Sequence, residues 1–325
     1  MLRLFARSAP AVRNAFSARA SYTIVNQRNM AAASFDRSKL FDVSHVTAVV
    51  TGGATGIGLM ITQALATNGA KVYIVGRRQE VLEKTVETYD SGSGQIIALP
   101  GDVSSKSEVQ RLASEVSKKE PNGIQLLVNN AGVARDDPTK LSGRGQPLDF
   151  ADPVAVSEHF LASQPESWDE TFRINAASIY FASMAFLPLL AKGGKAVPDY
   201  SSSVVNVSSI SGCMKGSSGG QFAYAASKAA ATHVSRMLAT TFVKTGVRVN
   251  TIAPGMFPSE MTTGASDEKN KSKLTTQASN PSGRYGNDSD MAATILFLAG
   301  HGGTFYNEQI VYPDGGNTLV QPSTN

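Results

Sequence analysis

Tyr224 and Lys228 stand four residues apart in Tyr-Ala-Ala-Ser-Lys, and a glycine-rich stretch, Thr51-Gly52-Gly53-Ala54-Thr55-Gly56-Ile57-Gly58, lies far upstream of them. On a helix, positions i and i+4 share a face, so the Lys228 ammonium can approach the Tyr224 phenol and favour its ionised form. A phenol with an ordinary pKa of roughly 10 then becomes usable for proton exchange near neutral pH. Alone, such a pair is common on half-exposed helices. Joined to the glycine-rich stretch, it suits hydride transfer involving a nicotinamide, with the tyrosine handling the proton.

In Gly52-x-x-x-Gly56-x-Gly58, the first glycine lets the chain turn sharply off a strand, the second lets backbone approach a phosphate, and the third allows a helix to pack close. The helix that follows offers unpaired N–H groups and partial positive charge to a pyrophosphate. A site selective for NAD normally places Asp or Glu about 20 residues later to hold the ribose hydroxyls. This chain has Gly76-Arg77-Arg78 there. A guanidinium pair suits a 2′-phosphate instead, so NADP(H) is the expected cofactor; the other reading is a solvated basic start to the next helix.

Other chemistries find little support. The four histidines, His45, His159, His233 and His301, are scattered, and no His/Cys/carboxylate grouping has metal-ligand spacing, so no metal site is expected. Cys213 is the single cysteine, which excludes an intrachain disulfide and suits a reducing compartment. With no histidine near it in sequence, it reads as a small packing residue. The net charge is +4, but Arg3, Arg7, Arg13, Arg19 and Arg28 fall in the first 35 residues, where there is no Asp or Glu; without those five the remainder is near −1. A nearly neutral body without a basic stripe argues against nucleic-acid binding. Residues 1–35, rich in Arg, Ala and Ser, have the composition of a mitochondrial transit peptide. The alternative is a disordered tail without an address and a cytoplasmic protein, and Met30 also allows a shorter product. The longest apolar stretch, Ile179 to Ala191, is broken by Ser183 and Pro188 and is shorter than the ~20 residues of a bilayer span. No membrane span is expected.

The elements that must position these residues alternate. Strands are expected at Val46–Thr51, Lys71–Val75, Gln95–Leu99, Ile124–Asn130, Ser203–Val207, Val247–Ile252 and Gln309–Tyr312. Helices are expected at Ile57–Thr67, Gln79–Tyr89, Ser104–Lys118, Ser167–Leu190, Ala223–Lys244 and Asp288–Ala299. With 42% hydrophobic and 17% charged residues, the chain can bury a substantial core. Strand–helix alternation of this spacing implies one α/β domain over residues 36–325, Rossmann-like and doubly wound, with a mostly parallel seven-stranded sheet covered on both faces. A ligand then belongs across the carboxyl ends of the strands. Two stretches interrupt the alternation: a polar loop over Val133–Gln164, long enough to be functional or disordered, and a Pro/Gly-punctuated segment over Pro254–Pro281 that reads as a lid.

Several ordered motifs make the chain similar to the short-chain dehydrogenase/reductases of single-domain type: Thr51 to Gly58, Asp102, Asn129-Asn130-Ala131-Gly132, Asn175, Asn206-Val207-Ser208-Ser209, Tyr224 with Lys228, and Pro254-Gly255. Ala253-Pro254-Gly255-Met256-Phe257-Pro258-Ser259, Gly283-Arg284-Tyr285-Gly286 and Asp314-Gly315-Gly316 more particularly resemble bacterial β-ketoacyl reductases of the rhamnolipid-pathway type and their fungal relatives. The resemblance implies that Gly52, Thr55, Gly56, Ile57, Gly58, Arg77, Arg78, Asp102, Val103, Asn129, Ala131, Gly132, Pro254, Gly255 and Ser259 bind the cofactor together with Tyr224 and Lys228. Asp102 would meet the adenine amino group and Asn129 the adenosine ribose, while Ile252, Pro254 and Ser259 would lie at the nicotinamide end. Ser209 would hydrogen-bond a carbonyl oxygen, Tyr224 would protonate it, Lys228 would lower the Tyr224 pKa and hold ribose hydroxyls, and Asn175 would position a water leading to Lys228.

In the family the serine-to-tyrosine spacing falls nearer Ser211, whereas the Ser-x-x-Gly register selects Ser209, with Lys215 to Gly220 as a lengthened loop that absorbs the difference. Met214, Phe222, Met256 and Phe257 flank the site and allow an apolar substrate wall. The expected activity is NADPH-dependent reduction of a small-molecule ketone to a secondary alcohol, a 3-oxoacyl thioester being the favoured substrate. The alternatives are an alcohol, steroid or polyol dehydrogenase on the same fold, or a catalytically silent NADP-binding scaffold. The resemblance also implies a homo-oligomer, a tetramer, built on the Ser167–Leu190 and Ala223–Lys244 helices.

Overall fold

Seven short runs rich in Val, Ile, Leu and Ala become seven strands. They are β1 (Thr47–Thr51), β2 (Lys71–Gly76), β3 (Gln95–Pro100), β4 (Leu126–Asn129), β5 (Ser203–Val207), β6 (Arg248–Ile252) and β7 (Ile310–Val311). The computed structural model describes residues 35–90, 92–142 and 146–323. The tail read over residues 1–35 lies, Phe35 apart, outside the described residues. The sheet order is β3-β2-β1-β4-β5-β6-β7, and each neighbouring pair is parallel. Strands buried on both faces need apolar side chains in both directions, which is why they read as continuous rather than alternating runs. Between β1 and β4 the strand order reverses, and a crevice opens there at the carboxyl ends.

Eleven helices connect or flank these strands among the described residues: α1 (Arg37–Leu40), α2 (Gly56–Thr67), α3 (Gln79–Tyr89), α4 (Lys106–Lys119), α5 (Pro153–Leu161), α6 (Pro165–Phe172), α7 (Ser178–Lys195), α8 (Phe222–Phe242), α9 (Glu260–Thr263), α10 (Asp288–Ala299) and α11 (Asn317–Val320). On one face Ile61 and Leu65 of α2, Leu82 of α3 and Met291, Ile295 and Leu298 of α10 pack on Val50, Val72, Ile74 and Val128. On the other, Leu112 and Val116 of α4, Phe186 and Leu190 of α7 and Leu238 and Phe242 of α8 pack on Val49, Tyr73, Leu127 and Val204. Two apolar layers thus hold the crevice rim from both sides.

The helix expected over Ser167–Leu190 is longer and interrupted in hydrogen bonding. α6 and α7 join through a π-helical turn, Arg173–Ala177, so the helix runs from Pro165 to Lys195 and continues through Pro188. By length and composition it could cross a membrane; here Ile179, Ala182, Phe186, Leu189 and Leu190 are buried in the second layer instead. The loop expected over Val133–Gln164 contains α5, whose start is set by Asp152, accepting from the N–H groups of Val154 and Ala155, and by Pro153 in the first turn. In the 254–281 segment, Ser259 caps α9 and Asn270 reaches back to Val81 and Thr85 of α3.

Candidate active site

The crevice holds two cavities that meet. The first, about 400 Å³, is lined by Gly76, Arg77, Arg78, Asp102, Val103 and Arg135 among others. The second, about 220 Å³, is lined by Thr55, Gly56, Ile57, Ser209, Tyr224, Lys228, Pro254, Gly255 and Ser259 among others. Gly52, Thr55, Ala131, Gly132 and Glu260 border both. Residues from six loops, spread over 200 positions of sequence, therefore converge on one continuous channel.

The floor of the channel follows from the glycines. Gly52 leaves β1 with φ +64, and a Cβ there would stand 3.1 Å from the Ala131 Cα. At Gly58 a Cβ would collide with the Gly52 carbonyl oxygen and the Asn130 side chain, so close packing of α2 is the role of that glycine. Thr55 precedes α2 without a side-chain hydrogen bond to its first turn. The N–H groups there border the cavity, as an anion site requires.

At one end of the channel, Asp102 accepts the Ser104 N–H at 2.9 Å, which fixes its carboxylate beside Val103. Arg78 is engaged by Glu260 of α9, Nη2 to Oε2 at 2.8 Å. Arg77 is exposed. At the other end, the Ser209 hydroxyl and the half-buried Tyr224 phenol line the same cavity, near enough for the serine to lower the pKa of the phenol. Ser211 instead donates its N–H to Ser209 Oγ at 3.1 Å within a 3-10 turn. The register of Ser209 is thus the one that meets Tyr224.

Lys228 is almost fully buried and its Nζ donates to the Val207 carbonyl at 2.9 Å, 5.8 Å from the centre of the Tyr224 ring. Burial lowers its pKa from the ordinary 10.5 to about 8. For Tyr224, burial pushes the phenol up and the Ser209 hydrogen bond pulls it down. The expectation that Lys228 lowers the Tyr224 pKa is corrected for the protein's own groups: burial and Ser209 are the two influences on the phenol, and the Lys228 ammonium is directed at the Val207 carbonyl.

Asn175 sits in the π-helical turn, buried. Its Oδ1 accepts from Val133 N–H at 2.8 Å, and its Nδ2 donates to the Val133 carbonyl at 2.8 Å and to Ser227 Oγ at 2.9 Å. The side chain is occupied by protein, so it fixes the Gly132–Val133 backbone against the Tyr224 helix. Gly132 is tight against it: a Cβ there would stand 3.2 Å from Asn175 Oδ1 and 3.3 Å from Lys228 Nζ.

Asn129 is a second correction. Its side chain points into the sheet, donating to Asn206 Oδ1 at 2.8 Å and Ser183 Oγ at 3.2 Å, and it borders neither cavity. The buried series Ser183, Asn129, Asn206 and Ser235 ties α7, β4, β5 and α8 together. Its neighbour Asn130 borders the channel, donating to the carbonyls of Thr51 and Gly52 at 3.0 and 3.1 Å. Side chains alternate across a strand, so one asparagine of the pair had to face inward. Ile252 is likewise fully buried. Asn130 and Ser208, named above only as members of motifs, and Glu260 border the channel without having been assigned a role there. Among the described residues no group of three or more His, Cys, Asp or Glu side chains is placed to hold a metal ion.

A parallel sheet of this order, with a glycine-turn crevice and a serine–tyrosine–lysine group at its end, belongs to a dinucleotide-dependent oxidoreductase fold, and a family model described as enoyl-(acyl carrier protein) reductase matches residues 52–318. The chain is a short-chain dehydrogenase/reductase, an oxidoreductase of the family that uses NAD(P).

Its relatives include the short-chain dehydrogenase/reductase PhomF′ of Diaporthe leptostromiformis, 40% identical over 88% of this chain and 95% of that protein. The rhamnolipids biosynthesis 3-oxoacyl-(acyl-carrier-protein) reductase of Pseudomonas aeruginosa is 34% identical over 85% of this chain and 97% of that protein. Among solved structures, the Pseudomonas aeruginosa RhlG/NADP active-site complex superposes with TM-score 0.69 at 32% identity, covering 86% of this chain and 98% of that one.

Proposed function

We propose that this protein reduces a ketone to a secondary alcohol with NADPH, and that the ketone is a 3-oxoacyl thioester. The observation that carries the reading is the Ser209–Tyr224 hydroxyl pair beside Lys228 in the channel. Two hydroxyls meeting at one point suit a single oxygen atom whose negative charge grows during reduction. Bound NADPH supplies the hydride. Gly52, Gly56, Ala131 and Gly132 would lie against its backbone-facing side, the α2 N-terminus against its pyrophosphate, Asp102 and Val103 at the adenine end and Arg77 at a 2′-phosphate. Ser209 donates a hydrogen bond to the carbonyl oxygen and Tyr224 delivers its phenolic proton there. A phenol held protonated by burial is suited to that direction. Lys228, which lines the same cavity with its Nζ on the Val207 carbonyl, would hold the nicotinamide ribose hydroxyls.

The 3-oxoacyl substrate is supported by the 3-oxoacyl-(acyl-carrier-protein) reductase activity in the name of the Pseudomonas relative and by Phe257 and Met261, apolar side chains in the lining of the second cavity. NADPH consumption by purified protein across 3-oxoacyl thioesters of rising length, steroids, sugars and simple ketones tests it. Activity should rise with acyl length; activity confined to steroids or sugars, or absent throughout, overturns it. We further infer a homotetramer assembled on α7 and α8, supported by exposed Tyr180 of α7 and Met237 of α8, which a monomer mass in light scattering would contradict. The basic segment over residues 1–35 is taken as a mitochondrial address, which a diffuse cytosolic signal from a fused reporter would remove.

A further inference from the structure

The helix that carries Tyr224 does not cap itself. α8 begins at Phe222, and Gln221, at the N-cap position, makes no side-chain hydrogen bond to the first turn. The N–H groups that such a cap would serve are those two or three residues on, and both are taken by Asp136: Oδ1 accepts from Ala223 at 2.9 Å and Oδ2 from Tyr224 at 3.2 Å. Asp136 lies 87 residues earlier and is 2% exposed. A buried carboxylate is tolerated there because it meets two N–H donors and the positive end of a 21-residue helix.

The segment that holds Asp136 is fastened on both sides of it. Val133 is gripped by Asn175 through its N–H and its carbonyl, and Arg135 makes a two-point ion pair with Glu170 of α6. Beyond Asp136, Thr139 donates to the Gly220 carbonyl at 2.8 Å, and Leu141 donates its N–H to the Gly219 carbonyl at 2.8 Å. The strap over 133–141 therefore spans from the π-helical turn to the start of the catalytic helix, and Asp136 grips the backbone N–H of Tyr224 itself.

We infer that Asp136 is a positioning residue that sets where Tyr224 presents its hydroxyl to Ser209, a role that rests on Tyr224 being the proton donor. The tether from the strap, and not the helix cap as such, sets the place of Tyr224. Loss of the tether lets the first turn of α8 shift, and sub-ångström to ångström displacement of a reacting group costs up to ~10²-fold in rate.

The test measures kcat per cofactor-binding site, NADPH Kd, KM and melting temperature in wild type, Asp136→Ala, Asp136→Asn and the double variant Asp136→Ala/Gln221→Asp, with Tyr224→Phe as reference. Asp136→Ala should lose ~10-fold or more in kcat with NADPH Kd and KM within ~2-fold. Asp136→Asn keeps one of the two bonds and should lie between. Gln221→Asp gives the helix a cap of its own, so the double variant should recover melting temperature while kcat stays low. An unchanged kcat in Asp136→Ala, or kcat that recovers in step with melting temperature in the double variant, overturns the inference. If Asp136→Ala does not fold, a kcat within ~2-fold of wild type in Asp136→Asn overturns it equally. Full activity in Tyr224→Phe would instead remove the reading of the site on which it rests.

Discussion

Arg78 and Glu260, 182 residues apart, face each other across the mouth of the channel, with guanidinium nitrogens 2.8 and 3.4 Å from the two carboxylate oxygens. The pair joins the turn after β2 to the first residue of α9, and both residues line the first cavity of the channel. Half-exposed pairs of this kind contribute about 0–1 kcal/mol, so a phosphate dianion can compete for Arg78. Arg77, next to it and exposed, needs no such exchange.

Arg77 should therefore carry most of the preference for NADPH. Arg77→Ala is expected to raise the NADPH Kd by ~10-fold or more, the scale of a lost charged hydrogen bond, and to leave NADH nearly unchanged. Glu260→Gln should tighten NADPH a few-fold by freeing Arg78, again without effect on NADH. Fluorescence titration with both cofactors measures this. Equal weakening of both by Arg77→Ala would make that arginine a structural residue.

Lys228 is held in its charged form at a cost in stability. Its pKa is lowered from 10.5 to about 8, so between those values the unfolded chain binds more protons than the folded one. Stability must then rise with pH across that window, with the full penalty present below about 8. Lys228→Met removes the buried charge at the loss of the bond to Val207. The variant should be inactive yet melt several degrees higher at pH 7, a stabilisation on the order of 1–3 kcal/mol, and the gain should shrink as pH rises above 8. Calorimetry over pH 6–10 reads it; a lower melting temperature at pH 7 would show that the Val207 bond outweighs desolvation.

Most of the frame was legible because it is local. Strands buried on both faces show as apolar runs, and Gly52, Gly56 and Gly58 mark a turn that few other residues could make. The order of Ser209, Tyr224 and Lys228 also reads directly, since Tyr224 and Lys228 are one helical turn apart. What escaped was decided by strand facing or by distance. Asn129 and Asn130 are chemically alike, and only the alternation of β4 says which meets the channel. The start of α5 was written in Asp152-Pro153, a capping residue followed by a first-turn proline, which also reads as loop punctuation. The π-helical turn at Arg173–Ala177 has no sequence pattern of its own. Arg78–Glu260 and Asp136–Tyr224 are contacts between segments far apart in sequence, and nothing near either partner announces the other.

The inward position of Asn129 has a consequence for variants. Asn129→Leu keeps approximate volume but strips a donor from Asn206 and Ser183, leaving buried polar atoms unpaired at about 1–3 kcal/mol. Melting temperature should fall while NADPH Kd stays within ~2-fold, a difference below about 0.4 kcal/mol. Asn130→Ala should do the reverse, loosening the Gly52 turn and weakening cofactor binding with a smaller loss of stability. If Asn129→Leu selectively weakens NADPH in a protein of unchanged melting temperature, the side chain faces the cofactor after all.

The serine register decides how the reacting oxygen is held. Tyr224→Phe keeps the ring and its packing but deletes the hydroxyl, so folding and NADPH binding should survive while carbonyl reduction falls by at least ~10²-fold, the scale of a lost general acid. Ser209→Ala removes the hydroxyl that meets Tyr224 and should cost roughly 10² to 10³-fold if it stabilises the developing charge. Ser211 offers the channel no comparable contact: its N–H serves Ser209 Oγ, a bond that Ser211→Ala retains, so that variant should be mild. Because Ser209 also pulls the Tyr224 phenol down against burial, Ser209→Ala should move the pH dependence of kcat to higher pH, whereas Ser211→Ala should leave it in place. Steady-state kinetics of the three variants, carried up to about pH 11 so as to reach the limb of a phenol raised from its ordinary value, tests both statements. Loss of activity on Ser211→Ala with Ser209→Ala left competent would reverse the register, and undiminished turnover by Tyr224→Phe would refute proton delivery from this residue.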